Sequence, residues 1–105
     1  MILIQGGVSS GKKTFLSSLG IDPTDAERVF LNAERLILEG KTPQEAAAAL
    51  QSRDAVTVTA VGNGVMAATG AQRAAISEIE TMSLLLAKTA SEVWYVTAGL
   101  GVKIK

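Results

Sequence analysis

The residues best suited to chemistry in this sequence form a glycine-rich segment near its start. The chain reads Gly6-Gly7-Val8-Ser9-Ser10-Gly11-Lys12-Lys13-Thr14, which fits the spacing GxxxxGK. In such a loop, backbone N–H groups and the lysine converge on phosphate oxygens, and the glycines permit their close approach. We therefore predict that residues 6–14 bind a phosphate group, such as that of a nucleotide. The alternative is an ordinary glycine turn between a strand and a helix.

The residue after the loop lysine departs from the usual motif. A serine or threonine hydroxyl at that position ligates Mg²⁺ beside the β- and γ-phosphates, but this chain has Lys13 there, with Thr14 one residue later. One residue along a helix is a rotation of about 100°, so Thr14 does not take over the metal position. Lys13 either neutralises phosphate directly or points to solvent. The substitution argues against Mg²⁺, and we predict no protein metal site.

The elements that must position this loop follow from hydrophobic patterning. Short apolar, β-branched runs predict three strands, and the alternating tail predicts an edge strand or a frayed end. The three strands are Met1–Gln5, Ala55–Val61 and Glu92–Ala98, the tail is Val102–Lys105, and Gly62-Asn63-Gly64 forms a turn after the second strand.

Helical spacing with capping signals predicts four helices. The first runs from Lys12 to Leu19 and ends at Gly20. The second is capped by Asp22, has Pro23 at its first position and continues to Gly40. The third begins with the capping box at Thr42 and ends at Leu50, and the last spans Ala71–Ala90.

This alternation of strands and helices predicts a single α/β domain over residues 1–105. We expect three layers, with a small, mainly parallel sheet and helices on both faces. Neither of the two later strands carries an acidic residue at its carboxyl end, where phosphoryl-transfer enzymes commonly hold their metal. Asp54 and Glu92 lie at the opposite ends, as solvated residues where the strands begin.

Composition narrows the possible functions. Apolar residues make up 48% of the 105 residues, so we expect some apolar surface to be buried against another copy of the chain in a homo-oligomer. Ten basic and ten acidic residues cancel, which argues against nucleic acid or an anionic membrane as a partner. There is no cysteine and no histidine, so thiolate ligands and phosphohistidine chemistry are excluded. With no export signal or membrane span in the sequence, we expect a cytoplasmic protein.

Three segments together resemble a known family. Residues 1–12, the glycine-bearing residues 61–65 and the tail at 90–105 are similar to the bifunctional adenosylcobinamide kinase and adenosylcobinamide-phosphate guanylyltransferase of cobalamin biosynthesis. The resemblance covers about half of the chain, with the segments in the same order. It implies a RecA-like P-loop fold, a homo-oligomer and the use of ATP or GTP. Gly6, Gly7, Gly11 and Lys12 match the phosphate contacts of the family.

Family members are considerably longer, and the departures bear on catalysis. The stretch with the guanylylated histidine and acidic metal-site residues is missing, Ala60 replaces an acid and Lys13 replaces the loop serine. Guanylyl transfer therefore cannot follow the family mechanism. We predict a reduced relative that binds phosphate or nucleotide and has a non-catalytic or accessory role. The alternatives are an active adenosylcobinamide kinase whose acids come from a partner or another subunit, and a decayed remnant; the catalytic residues stay unknown.

Overall fold

The computed structural model describes residues 1–7, 10–59 and 70–105. The strands are β1 (Ile2–Gly6), β2 (Val29–Phe30), β3 (Ala55–Thr59), β4 (Glu92–Thr97) and β5 (Leu100–Lys103). The helices are α1 (Lys12–Ser18), α2 (Glu34–Leu38), α3 (Pro43–Leu50) and α4 (Gly70–Thr89). The described part of the chain is therefore an α/β structure, as predicted.

The strands form one sheet in the order β2-β3-β1-β4-β5. β1 is central and pairs in parallel with β3 and β4, β2 pairs in parallel with β3, and β5 is antiparallel to β4. The mainly parallel sheet is thus confirmed. Because β1 lies in the middle, the loop that follows it emerges between the carboxyl ends of its two neighbours.

Both faces of the sheet are covered, because successive side chains of a strand point to opposite faces. Leu3 belongs to a core cluster with residues of α2, α3 and α4, whereas Ile4 belongs to a second cluster with Phe15 and Leu16 of α1. This alternation along β1 places α1 on one face and the other three helices on the opposite face, as expected for three layers.

Several predicted helix ends are confirmed by their hydrogen bonds. Gly20 and Gly40 have positive φ angles of 80° and 102° and end α1 and α2. The amide that follows each glycine bonds to a carbonyl five residues earlier, which is the arrangement of a Schellman cap. At the start of α3, Thr42 and Glu45 form the predicted reciprocal capping box.

The predicted continuous helix from Asp22 to Gly40 is wrong. The Asp22 carboxylate accepts hydrogen bonds from the backbone N–H and hydroxyl of Thr24, which favours a turn over a helix. Val29 and Phe30 then pair with β3 as an extra strand, and only five residues, Glu34–Leu38, are helical. Sheet pairing outweighs the helical spacing of the apolar residues here, so the sheet has five strands rather than the expected three and an edge tail.

The predicted tail strand needs a small change of bounds, and two predicted segments lie outside the described residues. The tail strand is real but begins earlier, at Leu100. Val8, Ser9 and the segment 60–69, with the Gly62-Asn63-Gly64 turn, lie outside the described residues. Within the described ranges, no helix combines the length and the hydrophobicity needed to cross a membrane.

Candidate phosphate-binding site

The glycine-rich loop joins the carboxyl end of β1 to α1, the placement that the motif predicts. A Cβ on Gly6 would lie 2.5 Å from Ser10 Oγ and 2.6 Å from the carbonyl oxygen of Val96. Such distances are shorter than real Cβ contacts, so a larger residue at position 6 would displace either the loop or β4. The first glycine of the motif is therefore required by packing within the protein.

Gly11 is required for two reasons. Its φ angle of 87° lies in the left-handed region, which side-chain-bearing residues rarely adopt. A Cβ there would also lie 2.7 Å from the backbone nitrogen of Gly99, in the turn between β4 and β5. By contrast, among the described residues other than Gly7 and its chain neighbours, no atom lies within 4 Å of a Cβ built on Gly7. Gly7 therefore has no packing requirement from those residues.

Lys12 points back across the loop. Its Nζ donates to the carbonyl oxygen of Gly7 at 2.8 Å, to that of Gly6 at 3.3 Å and to the hydroxyl of Ser10 at 3.4 Å. The side chain is largely buried, with 9% of its surface exposed. The ammonium group is thus bonded to three of the residues that the motif predicts to surround a phosphate. Two other residues of the glycine-rich loop, Val8 and Ser9, lie outside the described ranges.

Burial lowers the pKa of Lys12 below its ordinary value of 10.5, and the carboxylate of Glu34 acts in the opposite direction. The lowering has a simple cause, because a charged group removed from water is destabilised relative to its neutral form. Glu34 partly offsets this cost because its negative charge favours the ammonium form. The structure therefore places a carboxylate close enough to the loop lysine to influence its charge.

An open groove of about 410 Å³ lies beside the loop. One side is the loop and the start of α1, and the other is formed by the carboxyl ends of β2 and β3. Its lining residues are Ser10, Gly11, Lys12, Lys13, Leu31, Asn32, Glu34, Thr57 and Thr59. Ligands of open parallel sheets bind at the carboxyl ends of the strands, so this groove has the expected location for a ligand.

The far wall of the groove is a polar corner built by two threonines of β3. Thr57 Oγ1 accepts a hydrogen bond from the N–H of Asn32 at 2.8 Å, and the carbonyl oxygen of Thr57 accepts one from Ala33 at 2.8 Å. The N–H of Thr59 donates to Glu34 Oε1 at 3.1 Å. Asn32 has a φ angle of 59°, a left-handed conformation that asparagine tolerates better than most residues. These bonds fix Glu34 at the edge of the groove.

Glu34 is the residue that sequence reasoning missed. The prediction that no acid follows a neighbouring strand considered only the strands at Ala55–Val61 and Glu92–Ala98. The structure adds β2 to the sheet, and the segment after β2 brings Glu34 to the same edge. The adjacent Val29 and Phe30, which favour strands, were the available signal, but the apolar spacing from Ala26 to Ile37 favoured a helix.

The other predicted residues divide between the groove and the surface. Lys13 is exposed and lines the groove, whereas Thr14 is exposed and is not among its lining residues. Asp54 and Glu92 lie at the amino ends of their strands, paired with Arg28 and Lys103. In the described ranges, no group of three acidic side chains lies together to hold a metal ion.

In comparisons with known proteins, no family model matches the sequence and no curated protein is significantly similar to it.

Proposed function

We propose that this chain is a nucleotide-binding domain of the P-loop, RecA-like type, which holds the phosphate groups of ATP or GTP in the groove beside residues 6–14. The observation that carries the proposal is the position of Lys12. Its ammonium is bonded to Gly6, Gly7 and Ser10, at the carboxyl end of a central parallel strand. A phosphate in the groove would meet this charge together with Lys13.

Within this proposal, the chain is a reduced relative of the adenosylcobinamide kinase and guanylyltransferase family, with an accessory role in cobalamin biosynthesis. The support is the motif at residues 1–12 and the tail at 90–105, which forms β4 and β5. The turn between these two strands packs on the loop through Gly99 and Gly11. Two of the segments that carry the resemblance are therefore in contact.

An active kinase is the second candidate, and Glu34 is the observation that favours it. Phosphoryl transfer requires a carboxylate near the reacting phosphate to hold Mg²⁺ or to orient the attacking hydroxyl. Mg²⁺ is often held by one or two carboxylates together with the phosphates of the substrate. Because Glu34 lies in the same groove as Lys12, one acid is available within the chain rather than from a partner.

Self-association is also part of the proposal. The edge strand β5 and the residue after it expose three apolar side chains on alternate positions, Leu100, Val102 and Ile104. Leu100 and Val102 share one face of β5, because alternate residues of a strand point the same way. An edge strand with an exposed apolar face favours pairing with another chain.

The nucleotide proposal is tested by calorimetric titration of the purified protein with ATP, GTP and GMP, with and without Mg²⁺. We expect saturable binding that Lys12→Met weakens at least tenfold. Met has a similar length and leaves no buried charge. Lys88→Gln, at an exposed position near the end of α4, is the matched control and should bind as the wild type does.

Three results would contradict the proposal or choose between its candidates. No binding at millimolar nucleotide removes the nucleotide function. Binding that Lys12→Met leaves unchanged places the ligand elsewhere. Phosphorylation of adenosylcobinamide by the protein alone, abolished by Glu34→Gln, favours the kinase over the accessory role.

A further inference from the structure

A second groove adjoins the phosphate groove on the outer side of β2. Its volume is about 360 Å³, and Lys13 and Leu31 line both grooves. The two spaces therefore meet at Lys13, the residue that replaces the metal-binding hydroxyl of the motif. The remaining walls are Phe30, two arginines and residues of the turn after α1.

Three cations and no carboxylate-bearing residue are among the residues that line this second groove: Lys13, Arg35 and Arg53. Of the nearby acids, Glu27 contributes its backbone carbonyl to Arg53, and its side chain is not among the lining residues. Asp22 and Asp25 line a separate cavity with Arg28 and Asp54, and Glu34 lines the phosphate groove. Although the chain has no net charge, the charged residues that line this groove are therefore all positive.

The two arginines are held in place by the protein. The guanidinium carbons of Arg35 and Arg53 lie 5.3 Å and 5.5 Å from the centre of the Phe30 ring, a cation–π distance. Arg35 donates to the carbonyl oxygens of Leu31 and Asn32, and Arg53 donates to those of Ala26 and Glu27. Each guanidinium has five N–H donors, so both retain donors for a further acceptor.

We propose that Lys13, Arg35 and Arg53 form a second anion-binding subsite, which takes a phosphate or carboxylate group of the ligand. Guanidinium groups in fixed positions bind such groups through paired hydrogen bonds. The apolar walls around Phe30 would contact the organic part of the molecule. The ligand class is therefore an organic compound with two separated anionic groups, one in each groove. The assignment of the first group rests on the proposed function, whereas the second subsite is tested independently of it.

The probe for this subsite is inorganic phosphate, followed by nuclear magnetic resonance of the ¹⁵N-labelled protein. We expect two groups of signals to shift and saturate. The first group contains the backbone amides of Gly6, Gly7 and Gly11, and the second contains the side-chain Nε–H signals of Arg35 and Arg53. Lys12→Met should abolish the shifts of the first group only, so failure of the nucleotide site and failure of the second subsite give different results.

In the Arg53→Gln variant, the Nε–H signal of Arg35 should no longer show a saturable shift with phosphate. The backbone amides of the loop should still shift as phosphate is added. Lys13→Gln provides a second variant that is safe for folding because Lys13 is exposed, and it should weaken phosphate binding at the arginines at least threefold. Lys88→Gln should change neither group. The proposal is overturned if the arginine signals do not saturate, or if Lys13→Gln leaves their response unchanged.

Discussion

The N–H of Gly99 donates a hydrogen bond of 2.7 Å to the carbonyl oxygen of Ser10, which ties the turn after β4 to the glycine-rich loop. The same turn lies so close to Gly11 that a Cβ there would be 2.7 Å from the Gly99 nitrogen. The carboxyl-terminal hairpin is thus a support for the loop and helps to set the position of Lys12.

This contact predicts that Gly11→Ala is much more destabilising than Gly20→Ala. Both glycines have positive φ angles, and the left-handed conformation costs alanine about 1 kcal/mol at either position. Only Gly11 also faces a backbone clash, which adds roughly 1–3 kcal/mol. Urea denaturation of the two variants measures the difference. Equal losses would show that the contact with Gly99 does not constrain the loop.

The lowered pKa of Lys12 predicts opposite pH dependences for stability and binding. Between that lowered pKa and 10.5, the unfolded chain binds more protons than the folded one, so stability rises with pH in this window and falls as pH decreases through it. Phosphate affinity should fall over the same window because it requires the ammonium form. Denaturation and phosphate titrations at several pH values measure both trends. Lys12→Met should remove this contribution to the stability profile; its persistence would assign it to another group.

Glu34→Gln should strengthen metal-free phosphate binding by about three- to tenfold, because it removes one negative charge, worth roughly 1 kcal/mol, from the groove. Glutamine retains an oxygen that can accept from the N–H of Thr59, so the polar corner should persist. If Mg²⁺ binds between Glu34 and the ligand, the same variant should lose Mg²⁺-dependent affinity. Calorimetry with and without Mg²⁺ measures both effects. Glu39→Gln, at an exposed position after α2, is the control. An equal gain in phosphate affinity in this variant would show that the effect comes from the net charge of the protein and not from the position of Glu34.

The exposed apolar face of β5 predicts that the protein self-associates. The double variant Leu100→Lys/Val102→Lys should reduce this self-association. Both residues are well exposed, at 76% and 63%, so the substitutions should leave the fold intact. Sedimentation velocity should show a smaller species for the variant than for the wild type. Leu38→Lys, on α2 with 67% exposure, is the matched control and should not change the assembly. A wild-type protein that sediments as a monomer would contradict the proposed oligomer.

Patterns formed by residues close together in the sequence were sufficient to predict much of the architecture. The spacing of Gly6, Gly11 and Lys12 identified the loop, and Gly20, Gly40 and Thr42 marked helix ends, because caps and positive φ angles depend on a few neighbouring residues. The apolar runs of β1, β3 and β4 predicted a parallel sheet, because a strand covered on both faces needs apolar residues throughout.

The segment from Asp22 to Gly40 could not be assigned in this way, because its apolar residues satisfy helical spacing while its neighbours in space favour a strand. Pairing with β3 decided between them, and that pairing depends on residues about 26 positions later in the chain, as in Val29 with Ala55. The sequence by itself thus determined the position of the glycine-rich loop between a strand and a helix, its lysine and the mainly parallel sheet that carries it. Only the tertiary structure placed Glu34 beside Lys12 and brought Lys13, Arg35 and Arg53 into one groove. These groups are brought together by strand pairing rather than by spacing along the chain.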